Sequence, residues 1–227
     1  MAYSDSYFTA RESWRDWRIE ARQLMDLARV SNGTRVLEVG CGGGGLLRLL
    51  SARGAMAVGV DTLETALELA RGRDRSGYAA AKQPRKPDRS ALVRIGADGA
   101  LPIRAGAFDA IVAQHVIEHL PDAGAALCEW NRVLKAGGRI ALATPNAGYP
   151  DPAHFADGDH ARVYSVGEVC RVVEKAGLVV ESVSTIFPFL SRFRVLRAAG
   201  VIAYRVFENL PYFAARGRTI LLSARKP

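Results

Sequence analysis

Cysteine, histidine and long apolar runs are all scarce in this chain of 227 residues. Its three cysteines, Cys41, Cys128 and Cys170, are odd in number and widely spaced, so they predict neither a disulfide framework nor a zinc site. No run reaches the roughly 18 uncharged apolar residues that a membrane span needs. The opening segment is charged and has no apolar signal core. These absences favour a cytoplasmic protein without a transmembrane segment.

Basic residues outnumber acidic ones, which gives a net charge of +8 and an isoelectric point near 9.7. Such a charge attracts nucleic acid, anionic lipid or phosphorylated metabolites, although an arginine-rich solvated surface is the explanation that we favour. A hydrophobic content of 49% with 24% charged residues is typical of a folded globular protein. The composition therefore leaves a nucleic-acid partner open and does not decide the oligomeric state.

Apolar strand-like runs alternate with helical segments along most of the chain, and this alternation predicts an α/β fold. We expect a Rossmann-like three-layer α/β/α sandwich. Residues 71–90 contain Pro84, Pro87 and two glycines, and are predicted to form a loop before the third strand. The predicted strands are 35–39, 56–60, 92–95, 108–113, 139–143, 179–182 and 218–223, and the predicted helices are 11–30, 46–53, 62–71, 123–134 and 166–176.

A glycine-rich loop, GCGGGG at residues 40–45, follows the first predicted strand. It satisfies the pattern G-x-G-x-x-G, and Asp61 lies about 20 residues further on, as the dinucleotide fingerprint requires. Glycine lets the backbone turn sharply and a cofactor approach closely, while the acid accepts hydrogen bonds from ribose hydroxyls. Because nicotinamide, flavin and S-adenosylmethionine (SAM) cofactors all contain adenosine, the loop alone fits each of them.

Three further features distinguish these cofactors. Glu38 lies inside the strand two residues before the first glycine, where a carboxylate suits a cofactor carrying a sulfonium and an ammonium. Asp98, within GADGALP, offers an acceptor for an adenine amino group after the third strand. The segment VLKAGGR at 133–139 predicts a helix end and a glycine turn that feeds directly into a strand. Together these features favour SAM.

These motifs, taken in order, resemble those of class I SAM-dependent methyltransferases, and within them the methyltransferase type 11 and ubiquinone-pathway O-methyltransferase group. The resemblance covers residues 35 to about 180 and implies a seven-stranded, mostly parallel sheet whose last strand is antiparallel. It rests on VLEVGCGGG (36–44), Asp61, Asp98 with Leu101-Pro102, FDAIV (108–112), IEHL (117–120) and RVLKAGG (132–138).

The resemblance implies one methyltransferase domain over residues 1–227. Within it we expect an N-terminal helical cap (1–33), a SAM-binding core (34–183), a substrate-side insertion (184–216) and the last strand (217–227). Glu38, Gly40 and Gly42 would line the methionine end of SAM, Asp61 the ribose, Asp98 the adenine and Gln114 the methyl group. The neighbouring cofactor-binding positions would be Cys41, Thr62, Ala97 and Gly99.

All four histidines lie in the second half of the chain, and HVIEH at 115–119 matches a zinc-peptidase pattern, H-x-x-E-H. A helix there would place His115 and His119 on one face as metal ligands, but the segment follows a predicted buried strand. In some related methyltransferases E-x-x-E-H with a later histidine holds a divalent ion. The corresponding set here is His115, Glu118, His119 and His160, and the histidine at 115 suits magnesium poorly. The commoner arrangement in the family has no metal.

A hydroxyl acceptor would benefit from a base that titrates near neutral pH, so His119, His115 and His160, in that order, are the candidate catalytic residues. We expect methyl transfer to a small-molecule or lipid-like acceptor, at oxygen, selected by residues 1–30, 147–165 and 184–216. An RNA 2′-O-methyltransferase is the alternative, supported by the net charge and by Lys82, Arg85 and Lys86. A non-catalytic SAM-binding module on the same fold is the third possibility.

Overall fold

The computed structural model describes residues 12, 15–80, 91–149, 158, 160–187 and 216–227. His154 and most of the predicted insertion lie outside the described residues, as do the basic residues 82–86. The described helices and strands alternate as predicted, with one short 3₁₀ turn at Ile117–His119. In chain order they are α1 (Arg15–Leu27), β1 (Arg35–Val39), α2 (Gly45–Ala52), β2 (Met56–Asp61), α3 (Glu64–Ala80), β3 (Ala91–Arg94), β4 (Phe108–Gln114), α4 (Ala123–Val133), β5 (Leu134–Pro145), α5 (Val166–Lys175), β6 (Val179–Ile186) and β7 (Thr219–Arg225).

The strands form one seven-stranded sheet in the order β3-β2-β1-β4-β5-β7-β6. Neighbours from β3 to β5 are parallel, and β7 runs antiparallel to both β5 and β6. The predicted fold class, including the antiparallel last strand, is confirmed. The strand order reverses between β1 and β4, and the crevice outside the carboxyl ends of such a pair is where open α/β sheets bind ligands.

Helices cover both faces of the sheet because successive strand side chains point to opposite faces. On one face Leu37 and Ile111 pack into a core with α4 and α5, which contribute Trp130 and Val169. On the other face the core is built around the alternate strand residues and the apolar sides of α1 and α2. Glu38 shares the second face, since it lies two residues after Val36, so its carboxylate points to the side covered by α1 and α2.

Side-chain caps define where two of these helices begin. The Asp122 carboxylate accepts a hydrogen bond from the Ala125 N–H at the start of α4. Ser165 and Glu168 form a reciprocal capping box at the start of α5, where each side chain bonds the other residue's backbone N–H. The Ser165 hydrogen bonds, with help from Arg162, lower the pKa of Glu168 to about 2. The α4 cap begins the helix directly after the candidate histidine segment and so fixes the end of that segment.

Three predicted boundaries are wrong. Helix α3 continues to Ala80 instead of ending at 71, because extending a formed helix adds a hydrogen bond per residue and two glycines do not outweigh that. The glycine turn at 137–138 lies inside β5 and does not precede it. The pairing of β5 with β4 is irregular at this turn, where Gly137 has a φ of 75°. Strand β6 continues past 182 to Ile186, because its last residues pair with Thr219 and Ile220 of β7.

None of the helices that the structure describes is both long enough and apolar enough to cross a membrane.

Candidate functional site

The glycine loop leaves β1 in a left-handed conformation. Gly40, Gly42 and Gly44 have φ values of 68°, 49° and 77°, a region that costs residues with a side chain roughly 1–2 kcal/mol. A Cβ atom on Gly40 would lie 2.5 Å from Val116 Cγ2, so the loop also passes directly against the segment after β4. The sequence requirement for glycine here is therefore both conformational and steric.

Asp61, at the end of β2, holds this loop. Its Oδ2 atom accepts a hydrogen bond from the Gly42 N–H at 2.8 Å, and Oδ1 accepts one from the Leu63 N–H at 2.9 Å. Each carboxylate oxygen offers a second lone pair, so the ribose-binding role predicted for Asp61 stays compatible with these contacts. Thr62 is exposed next to it. The Cys41 side chain instead packs against β2, since a Cβ atom on Gly59 would lie 2.9 Å from Cys41 Sγ.

Glu38 is buried below the loop, 4% exposed. No residue in the described part of the chain forms a hydrogen bond with its Oε2 atom. Burial raises the pKa of Glu38 well above its usual value, and the nearby Arg48 guanidinium opposes that shift only in part. A buried carboxylate oxygen without a hydrogen bond is costly in a folded protein, and a cationic ligand in the loop would compensate its charge.

Arg48 links helix α2 to the loop and to the N-terminal segment. Its Nη1 atom donates to the Gly43 carbonyl at 3.1 Å, and Nη2 donates to Glu12 Oε2 at 2.6 Å. The Glu12 carboxyl group also covers the start of α2, where a Cβ atom on Gly45 would come within 2.6 Å of Glu12 Cδ. Glu12, which precedes α1, therefore reaches the glycine loop.

The adenine-side candidates lie after β3. Ala97 and Asp98 are exposed, and Gly99 has a φ of 73°. Asp98 Oδ1 accepts a weak hydrogen bond from the Ala100 N–H at 3.3 Å, which leaves its carboxylate available at the edge of the crevice. These residues stand at the carboxyl end of the sheet, as do Glu38 and Asp61, so the structure brings the predicted cofactor residues to one edge.

The segment after β4 is not the helix that a zinc-peptidase motif needs. His115 has a left-handed φ of 57° and only a 3₁₀ turn follows it. Its Nε2 atom lies 2.8 Å from Glu20 Oε1 and its Nδ1 atom 3.1 Å from Glu118 Oε1. His115 therefore contacts two carboxylates and does not share a helical face with His119.

Glu118 is fully buried between polar partners. Thr144 Oγ1 donates to its Oε2 atom at 3.0 Å, while His115 contacts Oε1. Burial alone would raise the pKa of Glu118, but the hydrogen bond and charge of His115 outweigh it and hold that pKa below the usual value. Glu118 is therefore an ionised carboxylate inside the protein.

His119 and His160 form an imidazole pair beside Glu118. Their ring centroids are 4.9 Å apart and the rings are tilted by 53°. One ligand atom from each of Glu118, His119 and His160 lies within 4.8 Å of the other two. Two imidazoles and a carboxylate converging in this way can hold a divalent ion or serve proton transfer, and His115, predicted with them, lies outside the cluster.

Comparison with known proteins agrees with this geometry. Residues 37–142 match the family model described as a methyltransferase domain. A ubiquinone biosynthesis O-methyltransferase from Alkalilimnicola ehrlichii is 34% identical over 114 residues, which cover 50% of this chain and 42% of that protein. The chain spans less than half the length of the first curated relatives that it matches. The predicted resemblance to class I SAM-dependent methyltransferases is confirmed for residues 37–142.

Solved structures show the same fold. A Haemonchus contortus phosphoethanolamine N-methyltransferase 2 in complex with S-adenosyl-L-methionine superposes with a TM-score of 0.71 at 19% identity, over 99% of this chain and 58% of that one. A [4+2]-cyclase, SpnF, superposes with a TM-score of 0.70 at 21% identity, over 95% of this chain and 84% of that one. Identities this low show the fold alone, and the cyclase demonstrates that this fold also serves other chemistry.

Within this site, sequence reasoning missed Glu20, Arg48 and Thr144. Glu20 could have been found, because it lies four residues before Leu24 on the apolar face of a predicted helix, where a carboxylate needs a partner. Thr144 and Arg48 have no such signal: a threonine in a strand and an arginine on a helix are ordinary.

A concavity lies at the opposite end of the sheet, at the amino ends of the strands. Its volume is about 300 Å³ and its lining includes Arg29, Asp109, Lys135 and Arg139. Lys135 and Arg139 are paired there with Asp109 and Glu181. This concavity lacks the glycine loop and the histidines, so it is not the candidate active site.

Proposed function

We propose that the chain binds SAM and transfers its methyl group to an oxygen atom of a small-molecule acceptor. SAM binding is supported chiefly by the buried Glu38 carboxylate, which lies on the strand that leads into the glycine loop. Its Oε2 atom has no hydrogen-bond partner among the described residues. The pyrophosphate of a dinucleotide is anionic and would place further negative charge beside that carboxylate. A cofactor bearing a sulfonium and an ammonium would compensate it.

The residues of the loop then have separate roles. Gly40 and Gly42 would let the methionine end approach the backbone, and Cys41 would contribute through its main chain because its thiol packs on β2. Asp61 and Asp98 would accept hydrogen bonds from the ribose and the adenine. Thr62, Ala97 and Gly99 would border the adenosine at the exposed edge, and Gln114 would lie beside the methyl group.

When bound, SAM supplies an activated methyl group on a sulfur that leaves readily as a thioether. The protein must therefore align the acceptor oxygen with the methyl carbon, exclude water and remove the hydroxyl proton. His119 or His160 would take that proton as the oxygen–carbon bond forms and the carbon–sulfur electron pair leaves with sulfur. The ionised Glu118 beside them would stabilise the resulting imidazolium.

Oxygen as the acceptor atom is supported by the histidine pair and by the names of the curated relatives, which are ubiquinone biosynthesis O-methyltransferases. Phenols and related hydroxylated small molecules are therefore the acceptor class to test first. The basic surface offers less support for nucleic acid than the net charge suggests. Many described cations are already in ion pairs, among them Arg53, Arg71, Arg132 and Arg162.

A metal-assisted form of the same reaction is the second candidate. Glu118, His119 and His160 would hold the ion, and a ligand set of two imidazoles and one carboxylate suits iron, zinc or manganese better than magnesium. The ion would act as a Lewis acid on the acceptor oxygen. Metal analysis of the purified protein, followed by activity measurements after chelation and after adding back each ion, separates this form from catalysis by histidine alone.

The test of the proposal is a methyl-transfer screen with isotope-labelled SAM against phenols, quinone precursors, glycans and RNA ends. The proposal expects a methylated phenol or similar small molecule and stoichiometric S-adenosylhomocysteine. Methylation of RNA ends that falls steeply with added salt would support the nucleic-acid alternative instead. SAM binding without transfer to any acceptor would support the non-catalytic module.

A further inference from the structure

Helix α1 contributes a buried carboxylate to the candidate active site. Glu20 is 3% exposed, and its Oε1 atom lies 2.8 Å from both Gln114 Nε2 and His115 Nε2. Gln114 is the last residue of β4 and His115 is the next. The Glu20 carboxylate on α1 therefore holds both the last residue of β4, Gln114, and the first residue of the histidine segment, His115.

His115 carries this contact onward to Glu118. Both ring nitrogens of His115 lie within hydrogen-bond distance of a carboxylate oxygen, so the ring spans the two acids. The distances are 2.8 Å to Glu20 and 3.1 Å to Glu118. Both ring nitrogens of His115 are therefore already engaged by side chains of the protein. This separates His115 from His119 and His160.

The backbone of His115 is also constrained. Its φ of 57° is left-handed, and its N–H donates to the Ala143 carbonyl at 2.9 Å. A non-glycine residue keeps such a conformation only where its surroundings over-determine it, and these residues cluster at functional sites. The bridge between Glu20 and Glu118 is one such constraint.

We propose that Glu20 and His115 are positioning residues that fix the Glu118 carboxylate, and through it the His119–His160 pair, against the end of β4. Thr144 holds the other oxygen of Glu118 at 3.0 Å, so that carboxylate is fixed from two sides. The kinetic consequence rests on the proposed function. The structural consequence does not, because the geometry of the histidine pair can be measured without turnover.

Four variants test the bridge. His115→Asn keeps a residue that tolerates left-handed backbone and keeps the Glu20–Gln114 contact, but it cannot span both carboxylates. Glu20→Ala removes both contacts of Glu20, whereas Glu20→Gln retains an acceptor oxygen. Asp26→Ala is the control, since Asp26 lies on the same helix and its exposed carboxylate pairs with Arg53.

In turnover with the first acceptor identified, we expect kcat to fall on the order of 10–100-fold in His115→Asn and Glu20→Ala, the usual range for residues that orient a catalytic ligand. The KM for SAM should stay within about threefold in His115→Asn, since this substitution removes no contact with the cofactor. Glu20→Gln should recover most of the activity. A His115→Asn variant as active as Asp26→Ala would overturn the proposal.

Histidine-selective ¹⁵N NMR of the unliganded protein gives a readout that needs no acceptor, because the chain has only four histidines. The imidazole signals of His119 and His160 should shift in His115→Asn and in Glu20→Ala and stay unchanged in Asp26→Ala. Unchanged signals in His115→Asn would contradict the positioning role. Adding S-adenosylhomocysteine to the same samples tests the proposed function separately: absence of binding would reject that function and leave the comparison of variants intact.

Discussion

Asp61 Oδ2 accepts a hydrogen bond from the Gly42 N–H at 2.8 Å, so the end of β2 fixes the loop that follows β1. The two residues are 19 positions apart and meet only because β1 and β2 are parallel neighbours. The acid of the G-x-G-x-x-G fingerprint therefore shapes the loop before any cofactor arrives. This contact makes Asp61 a test of the whole site.

Asp61→Asn should weaken SAM binding by about tenfold or more, because an amide can accept from only one of the Gly42 and Leu63 N–H groups and an unsatisfied donor costs roughly 1–3 kcal/mol. Isothermal titration calorimetry measures the change in Kd. Asp122→Asn is the matched control: Asp122 also accepts a backbone N–H, but asparagine is an equally good N-cap, so both Kd and Tm should hardly change. Equal effects of the two substitutions would argue against a specific role for Asp61.

Gly40→Ala should abolish measurable SAM binding and destabilise the fold by about 2–4 kcal/mol, the sum of a left-handed alanine and overpacking against Val116. Gly72→Ala is the control, since Gly72 lies in α3 and a Cβ atom there would meet nothing within 4 Å. It should stabilise the protein by roughly 0.5–1 kcal/mol. Urea unfolding and thermal shift with SAM measure both effects, and a Gly40→Ala protein that binds SAM normally would show that the loop is not the cofactor site.

Glu38→Gln should raise the Tm of the unliganded protein and reduce its stabilisation by SAM. Burial raises the folded-state pKa of Glu38 above its ordinary value of 4.5, so the folded chain holds this proton more tightly than the unfolded chain does. Protonation of Glu38 therefore stabilises the folded state. This contribution to the free energy of unfolding is fully present below pH 4.5 and is lost as the pH rises through the folded-state pKa.

SAM binding should have the opposite pH dependence at this residue, because a cationic ligand favours the ionised carboxylate. The affinity of the wild-type protein for SAM should therefore rise with pH through the folded-state pKa of Glu38, with proton release on binding. In Glu38→Gln both dependences should flatten. If the wild-type affinity falls as the pH rises, the assignment of Glu38 to a cationic cofactor is wrong.

His119→Ala and His160→Ala should leave the Kd for SAM unchanged, since neither residue lies at the glycine loop. The one that acts as the base should lower kcat by about 10²–10⁴-fold, the usual contribution of a positioned general base. Calorimetry and initial rates on the same preparations separate the two effects. Loss of a bound metal with loss of activity in both variants would favour the metal-assisted form, whereas full activity in both would remove the histidines from the mechanism.

The sequence was sufficient to predict the sheet, because strand alternation is a local pattern. It also predicted that Glu38, Asp61 and Asp98 lie at one edge of that sheet, and their role in holding a cofactor stays a prediction. It could not show how the histidine segment is arranged. His115 and His119 look equivalent in HVIEH, but the left-handed backbone at His115 turns its ring to Glu20, 95 positions earlier in the chain and on another element. The extent of α3 could not be predicted from the sequence either. The glycines at 72 and 77 favoured a loop, but the helix continues through both because each added residue forms a further hydrogen bond.

The most direct test of the central claim is calorimetric titration of the unliganded protein with SAM and, separately, with NAD⁺. We expect one SAM site with a Kd between about 1 μM and 1 mM, the usual range for a substrate, and no heat with NAD⁺. SAM binding should be weakened in Glu38→Gln and lost in Gly40→Ala. Saturable binding of NAD⁺, or no binding of SAM by a folded wild-type protein, would contradict the central claim.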